Sequence, residues 1–430
     1  MKKKYVRWTL WTIASPFILF VILCILIYLP PIQNFLVDKA AVYASEATGM
    51  NISVGRISLS FPLNLVVTDV DAASPHNDTL LSVRRLQVNV QLLPLLKKQV
   101  EVDGIFLQGA TVNSNDLIHG MKLNGTLGEL FISSHGVALD PETAIVNKVL
   151  LKDTDLSLCL NDTAAVDTAA SDTTYWKIIL QDIDLQNVSF ALDMPLDSLS
   201  LAASLDNAIL RDGLIDLHKS AYSLQTFRIK NGRVRYDSGK PLAADSLSSG
   251  LDPSHIALTD IGVKLDSLYY EGRNMKAIIS QFVLKERSGV EIVSATGRMV
   301  SNDKVLRVPS LKLETRDSYL ELNAAMDWNA LDFKGEGLVS ARLMADIGKP
   351  DVVRFMGSMD EKFVRQYPSE PLRIRTGIDG DLNKLKLTTL TAELPGALGL
   401  FARGELTHLT DSLLRGGDIT LEAETKDLKF

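Results

Sequence analysis

Six histidines, two cysteines and 52 acidic side chains carry whatever chemistry this chain could perform. His76, His119, His135, His218, His255 and His408 are dispersed, and no His-Glu-x-x-His places two of them on one helix face for zinc. Neither a Gly-x-x-x-x-Gly-Lys-Ser/Thr phosphate loop nor a Gly-x-Ser-x-Gly nucleophile elbow is present. Ser301-Asn-Asp-Lys304 has Ser-x-x-Lys spacing, but the Ser-Asp-Asn and Lys-Thr-Gly companions are missing, so it reads as a polar hairpin turn. Asp182 and Asp184 stand two apart on a strand and share a face, where they solvate it. A general acid/base pair needs a cleft that such an alternating strand does not make. Cys24 falls inside an apolar run and Cys159 far from it, which argues against an intrachain disulfide, and two cysteines build no zinc site alone. The reading is therefore of a non-enzyme that needs no cofactor or metal.

One recurring pattern remains. Asp followed by Ser or Thr and then Leu, Ala or Thr occurs at Asp78, Asp162, Asp167, Asp172, Asp197, Asp245, Asp266 and Asp411. It resembles an O-glycosylation acceptor used by some gram-negative bacteria on exported proteins, and turn chemistry accounts for it equally. The formal charge of −7 argues against a nucleic-acid partner.

The elements that hold these residues are legible from periodicity. Lys2, Lys3, Lys4 and Arg7 precede an uncharged run from Trp8 to Leu29. About 20 apolar residues at about 1.5 Å each match a hydrocarbon core of about 30 Å. Trp8, Trp11 and Leu29 are its anchoring positions, and Pro30-Pro31 stops the helix. The run is too long, and lacks the small-x-small site, for a cleaved signal peptide. The basic flank keeps residues 1–31 as a cytoplasmic tip and anchor, with the bulk exported. Residues 32–49 read as a short helix closed by Gly49.

Beyond residue 50 the hydrophobic period changes to two. Ile57, Leu59, Phe61, Leu63 and Leu65 alternate with polar residues, as do Leu86, Val88, Val90 and Leu92. Leu311 and Leu313, Leu320 and Leu322, Leu385 and Leu387, and Ile419 and Leu421 repeat the pattern. Period two means strands with one apolar face. A loose six-residue repeat joins an aliphatic, Gln or Lys, a turn residue, a variable pair and an apolar residue. Its copies are Leu107–Val112, Leu151–Leu156, Leu185–Phe190 and Ile229–Val234, starting 44, 34 and 44 residues apart. We expect a mostly β fold over 50–161 and 175–430, with 162–174 as a flexible low-complexity loop and a helix near 351–366. At about 13 residues per strand the expectation is near 30 strands, in an elongated, twisted, repetitive sheet on the order of 140 Å long. The sequence stops at Phe430 straight after a strand-like run, which reads as a cut-short chain.

Sparse aromatics and few helices leave such a sheet little to cover its greasy side. It can pair into dry sandwiches, or curl into a groove with that side inward. The groove reading makes Leu59, Phe61, Leu63, Val88, Val90, Leu107, Val112, Leu156, Leu185, Phe190, Ile229, Val234, Leu311, Leu313, Leu320, Leu322, Leu385 and Leu387 the candidate lining for phospholipid acyl chains.

The opening of the chain resembles the AsmA-like family, close to its TamB branch. The anchor leads through Ala47-Thr-Gly49 to Val54-Gly-Arg-Ile-Ser-Leu59 and Leu65-Val-Val-Thr-Asp-Val70. Leu80–Val90, Leu92-Leu-Pro-Leu-Leu96 and Val100–Leu107 follow, the last ending in a turn before Ala110-Thr-Val112. The likeness is specific over residues 1–112 and diffuse from there to 430. It implies a protein anchored in the inner membrane that bridges the periplasm and carries phospholipid toward the outer membrane. The alternative it implies is a scaffold of a translocation and assembly module, joining an outer-membrane β-barrel partner through a C-terminal region not visible here. A structural β module that transports nothing is the third possibility.

Overall fold

The computed structural model describes residues 33, 39, 41–43, 45–46, 48–60, 64–75, 78–91, 102–114, 120–138, 142–161, 175–239, 250–330, 337–356 and 361–426. Trp8, Trp11, Leu29, Phe61, Leu63 and the segment 162–174 lie outside them. Among the described residues no helix is long and apolar enough to cross a membrane. The described residues before 50 are mostly helical, and Gly49 closes that stretch at φ +69°, its N–H donating to the Ser45 carbonyl (2.9 Å).

The rest is mostly β, in two compact units. The first holds β1 (Asn51–Ser60), β2 (Asn64–Ala73), β3 (Thr79–Val90), β4 (Val102–Asn113), β5 (Met121–Ala138) and β6 (Thr143–Leu160). Strands β1 to β5 form an antiparallel ladder in chain order. β6 follows β5, with Asn161 N–H donating to the Gly120 carbonyl (2.7 Å).

The second unit begins with β7 (Lys177–Met194), β8 (Leu199–Asp216), β9 (Ala221–Leu224), β10 (Thr226–Ser238), β11 (His255–Glu271), β12 (Asn274–Glu286) and β13 (Glu291–Ser301). It continues with β14 (Val305–Thr315), β15 (Tyr319–Asp327), β16 (Leu338–Ile347), β17 (Leu372–Asp381), β18 (Lys384–Leu394), β19 (Leu398–Thr407) and β20 (Gly416–Thr425). All its pairings are antiparallel. Short β9 fills the gap beside β10, pairing with both β8 and β11. Where a helix is expected near 351–366, the described residues form α1 (Lys349–Met356) and α2 (Glu361–Gln366) between β16 and β17, with 357–360 outside the described residues.

The strands are longer and fewer than the sequence suggests, because the apparent turn residues do not end them. Gly109, Asp153, Asn187 and Asn231 are the third positions of the four repeat copies, and all take left-handed φ of 49–63° inside continuous strands. Gly, Asn and Asp are the types that accept this conformation cheaply. The turn expected before Ala110 is therefore a mid-strand kink in β4.

These kinks line up across neighbouring strands. Thr68 and Val70 pair with Arg56 and Val54 on one side and with Arg85 and Val83 on the other, so left-handed Asp69 sits level with Gly55 and Arg84. Gly109 is level with Arg84 and Gly128, and a Cβ on Gly128 would lie 2.8 Å from that of Asp153. In the second unit Asn187, Asp206 and Asn231 are level across β7, β8 and β10.

Further along, register shifts take over. Val308 pairs with Ala324 but Leu311 with Leu322, so Pro309 and Ser310 oppose one residue, and a proline fits where no ladder N–H is needed. Each such bulge offsets the in/out alternation by one. Exposure follows: in β1 positions 51, 53 and 55 are exposed, then 56, 58 and 60. In β10 they are 228 and 230, then 231, 233 and 235. The aliphatic positions step by three at the same level, so apolar residues stay on one face through the kink.

Candidate functional site

Residues paired across an antiparallel ladder share a face, so the registers trace which side chains stand together. In the first unit Leu59, Leu65, Val88, Ile105 and Ile132 form one transverse row. Ile57, Val67, Leu86, Leu107 and Leu130 form the next. Val112 pairs with Leu81 and with Gly125, where a Cβ would meet the Leu156 side chain at 2.9 Å, which puts Val112 and Leu156 on either side of Gly125. Val90 pairs with Val102 at the row's margin. The alternation from Ile57 to Leu65 is divided between β1 and β2, and Leu59 faces Leu65 across their hairpin.

The second unit carries the pattern much further. Leu185 pairs with Ala208, Ala208 with Ile229, Ile229 with Val263, Val263 with Phe282 and Phe282 with Ala295. From there the same row runs through Leu313, Leu320, Ala345, Ile374, Ala392 and Leu400 to Ala423 on β20. Every residue of this row is apolar. Beside it runs a second row that includes Ile183, Leu210, Phe227, Leu265 and Ile279, then Leu311, Leu322 and Leu343, broken only by Gly297 and Thr376. Phe190 and Val234 meet through Ala203, and Leu387 pairs with Ile378, on the same face. Leu385 is buried beside Leu406. One margin of the face is a row of Ile215, Tyr222, Tyr270, Met275, Ser301 and Leu306. The sole charge met in these rows is Glu286, at the end of the Phe190 row, where it is buried and accepts from the Ala257 and Ser288 amides.

Within the second unit, no second layer of described residues seals this face. Along the row from Leu185 to Ala423 the buried members are small, namely Ala208, Ala295 and Ala345. Leu185, Ile229, Phe282, Leu313, Leu320 and Leu400 keep part of their surface in solvent, although each lies inside a ladder. Asp351 is the largest side chain fully removed from water among the described residues. The described core cluster is local: Tyr367, Leu394 and Ala397 with Val352, Phe363, Leu372 and Leu398, which fixes α1 and α2 against the β18–β19 turn.

The other face is charged and cross-linked. Arg233 approaches Asp206 (3.8 Å), Lys285 bridges Asp260 (2.7 Å) and Glu291 (3.9 Å), and Arg316 meets Glu291 (2.6 Å). The Lys285 hydrogen bond holds the Asp260 carboxyl below the usual carboxylate range, and Asp260 in turn raises the Lys285 ammonium. Asp182 pairs with Arg211, and Asp184 accepts from Gln186 (3.3 Å) and Asn207 (3.3 Å), so both acids found in the sequence serve the sheet's polar side. Ser301 ends β13, and Asn302 to Lys304 turn into β14. His218, His255 and His408 stand in three separate hairpins or strand ends, and no described cluster of His, Cys, Asp or Glu could hold a metal ion.

The arrangement can hold apolar matter, and it offers a charge-free strip to do so. What the sequence missed was the register: periodicity marks which residues are apolar but not which of them meet. No family model matches the chain, and no curated protein matches it.

Proposed function

We propose that this chain is an inner-membrane-anchored, periplasmic carrier of the AsmA-like kind. Its apolar face serves as a groove along which phospholipid acyl chains move toward the outer membrane. The observation that supports the reading is the unbroken apolar row from Leu185 to Ala423, open to solvent along its large members. Each methylene laid on such a strip is worth about 0.8 kcal/mol, so an acyl chain binds well without any headgroup lock. The polar face, with its cross-strand ion pairs, keeps the other side in water. Anchorage by residues 8–29 and a barrel partner reached through further sequence complete the proposal.

The experiment is lipid capture by the full chain. A phospholipid with a photoreactive acyl terminus should label peptides from β12 to β15, and Leu320→Asp should cut that labelling at least tenfold, since an unpaired charge there costs several kcal/mol. Absence of lipid on those strands would overturn the proposal.

A further inference from the structure

The two margins of the second unit differ. On one, the hairpins at 217–220, 272–273, 302–304 and 408–415 and the first residue of β18 each contribute a base: Lys219, Arg273, Lys304, Arg415 and Lys384. All five are exposed. Some of the acids beside them cap their own turns, while Asp303 is exposed and accepts from the Asn274 side chain (3.2 Å) and Glu271 accepts from the Tyr269 hydroxyl. Asp216 accepts from the Lys219 amide (3.1 Å), Asp381 from the Asn383 and Lys384 amides (both 2.8 Å), and Asp411 from those of Leu413 (2.8 Å) and Leu414 (3.3 Å). Asn302 does the same for Lys304 (2.9 Å). This capping is ordinary turn chemistry, and it leaves the five bases exposed at the rim. Lys384 also has Glu405 at 3.3 Å.

Aromatic rings gather on the same margin. Tyr222 and Tyr270 stack at 6.1 Å on the apolar face, Tyr175 meets His218 at 5.5 Å, and Arg273 lies over Trp328 at 5.5 Å. On the opposite margin several bases are held by acids or backbone, although Arg365 of α2 is exposed with Glu361 at 3.6 Å. Arg316 is held by Glu291, Arg354 by Asp317 (2.9 Å) and Asp351 (3.0 Å), and Arg287 by the His255 carbonyl (3.1 Å). The turns at 195–198 and 395–397 carry no base.

We infer that the first margin is the headgroup side of the face: phosphates of lipids whose acyl chains lie on the apolar rows run along Lys219, Arg273 and Lys304. Successive hairpins are about 10 Å apart, so a phosphate leaving one base meets the next. Tyrosine and tryptophan rings suit the glycerol level between chain and phosphate. This deepens the proposed function and rests on it.

The test uses the full chain and two phosphatidylglycerol probes, one photoreactive at the acyl terminus and one in the headgroup. The headgroup probe should label peptides around 217–222, 272–276 and 302–305. In the triple variant Lys219→Gln, Arg273→Gln, Lys304→Gln that labelling should fall about fivefold, as expected for three exposed charge contacts, with acyl labelling of β12 to β15 unchanged. Unchanged acyl labelling also certifies that the variant is folded. Equal headgroup labelling of 287–290 and 316–318, or full retention in the variant, overturns the inference and leaves the carrier intact. Loss of acyl labelling in the unaltered chain overturns the carrier instead.

Discussion

Asn231 shows how one residue shapes this sheet. It takes φ 52° inside β10, and its side-chain amide donates to Asp206 (2.8 Å). A β-branched residue there pays the left-handed penalty, so Asn231→Val should destabilise by about 1–2 kcal/mol while Asn231→Gly stays near neutral. Thermal unfolding of the two variants checks this. Asp260, also left-handed at φ 53°, allows charge to be separated from backbone, because Asn tolerates the same conformation. Its folded carboxyl is lowered by Lys285, so its stabilisation is present above the ordinary carboxylate value and disappears as pH falls through the lowered one. The raised Lys285 contributes below the ordinary lysine value and is lost as pH rises through its own. Asp260→Asn should therefore lower the melting temperature slightly at neutral pH and not at all in strong acid. The repeat that marks these kinks was visible in the sequence. Their meaning was not, since Gly, Asn and Asp serve a chain reversal and a mid-strand kink alike.

Among the elements, α1 and α2 depend on a buried carboxylate. Asp351 accepts from the hydroxyls of Thr315 and Ser318 and pairs with Arg354, which also reaches Asp317. Arg354 offers its carbonyl to Leu251 N–H (2.8 Å), so α1 ties together the turns after β10 and β14. Asp351→Ala leaves these donors without their acceptor and should cost on the order of 3 kcal/mol, seen as faster tryptic cleavage at Arg354. The apolar spacing of Val352, Phe355 and Phe363 announced helix here. It did not announce the tertiary ties of Asp351 and Tyr367 that hold the segment. Strand identity was legible for the same reason helix was: period two is stamped on each segment. Strand length was not, as each kink resets the period and mimics a boundary.

At the scale of the whole molecule, an open face and a dry sandwich predict different costs for the same truncation. Leu320 keeps some solvent contact, so Leu320→Ala should lose about 1 kcal/mol, below the roughly 2–5 kcal/mol of a sealed core. Denaturant unfolding of Leu320→Ala beside Leu394→Ala, whose parent side chain is buried in the local cluster, measures the contrast. Composition and alternation announced an amphipathic sheet. The continuity of its rows is set by twelve successive registers, which depend on hairpin geometry and bulges that no single segment encodes.

Apart from the detour at β9, every strand of the second unit after β7 hydrogen-bonds to the strand just before it in the chain. Nothing in that ladder has to wait for a distant segment to arrive. A growing polypeptide can therefore zip up hairpin by hairpin as it emerges, each finished edge templating the next arrival. The same economy lets whole hairpins be gained or lost over evolutionary time with only their two neighbours disturbed, so span is an adjustable quantity in an architecture of this kind.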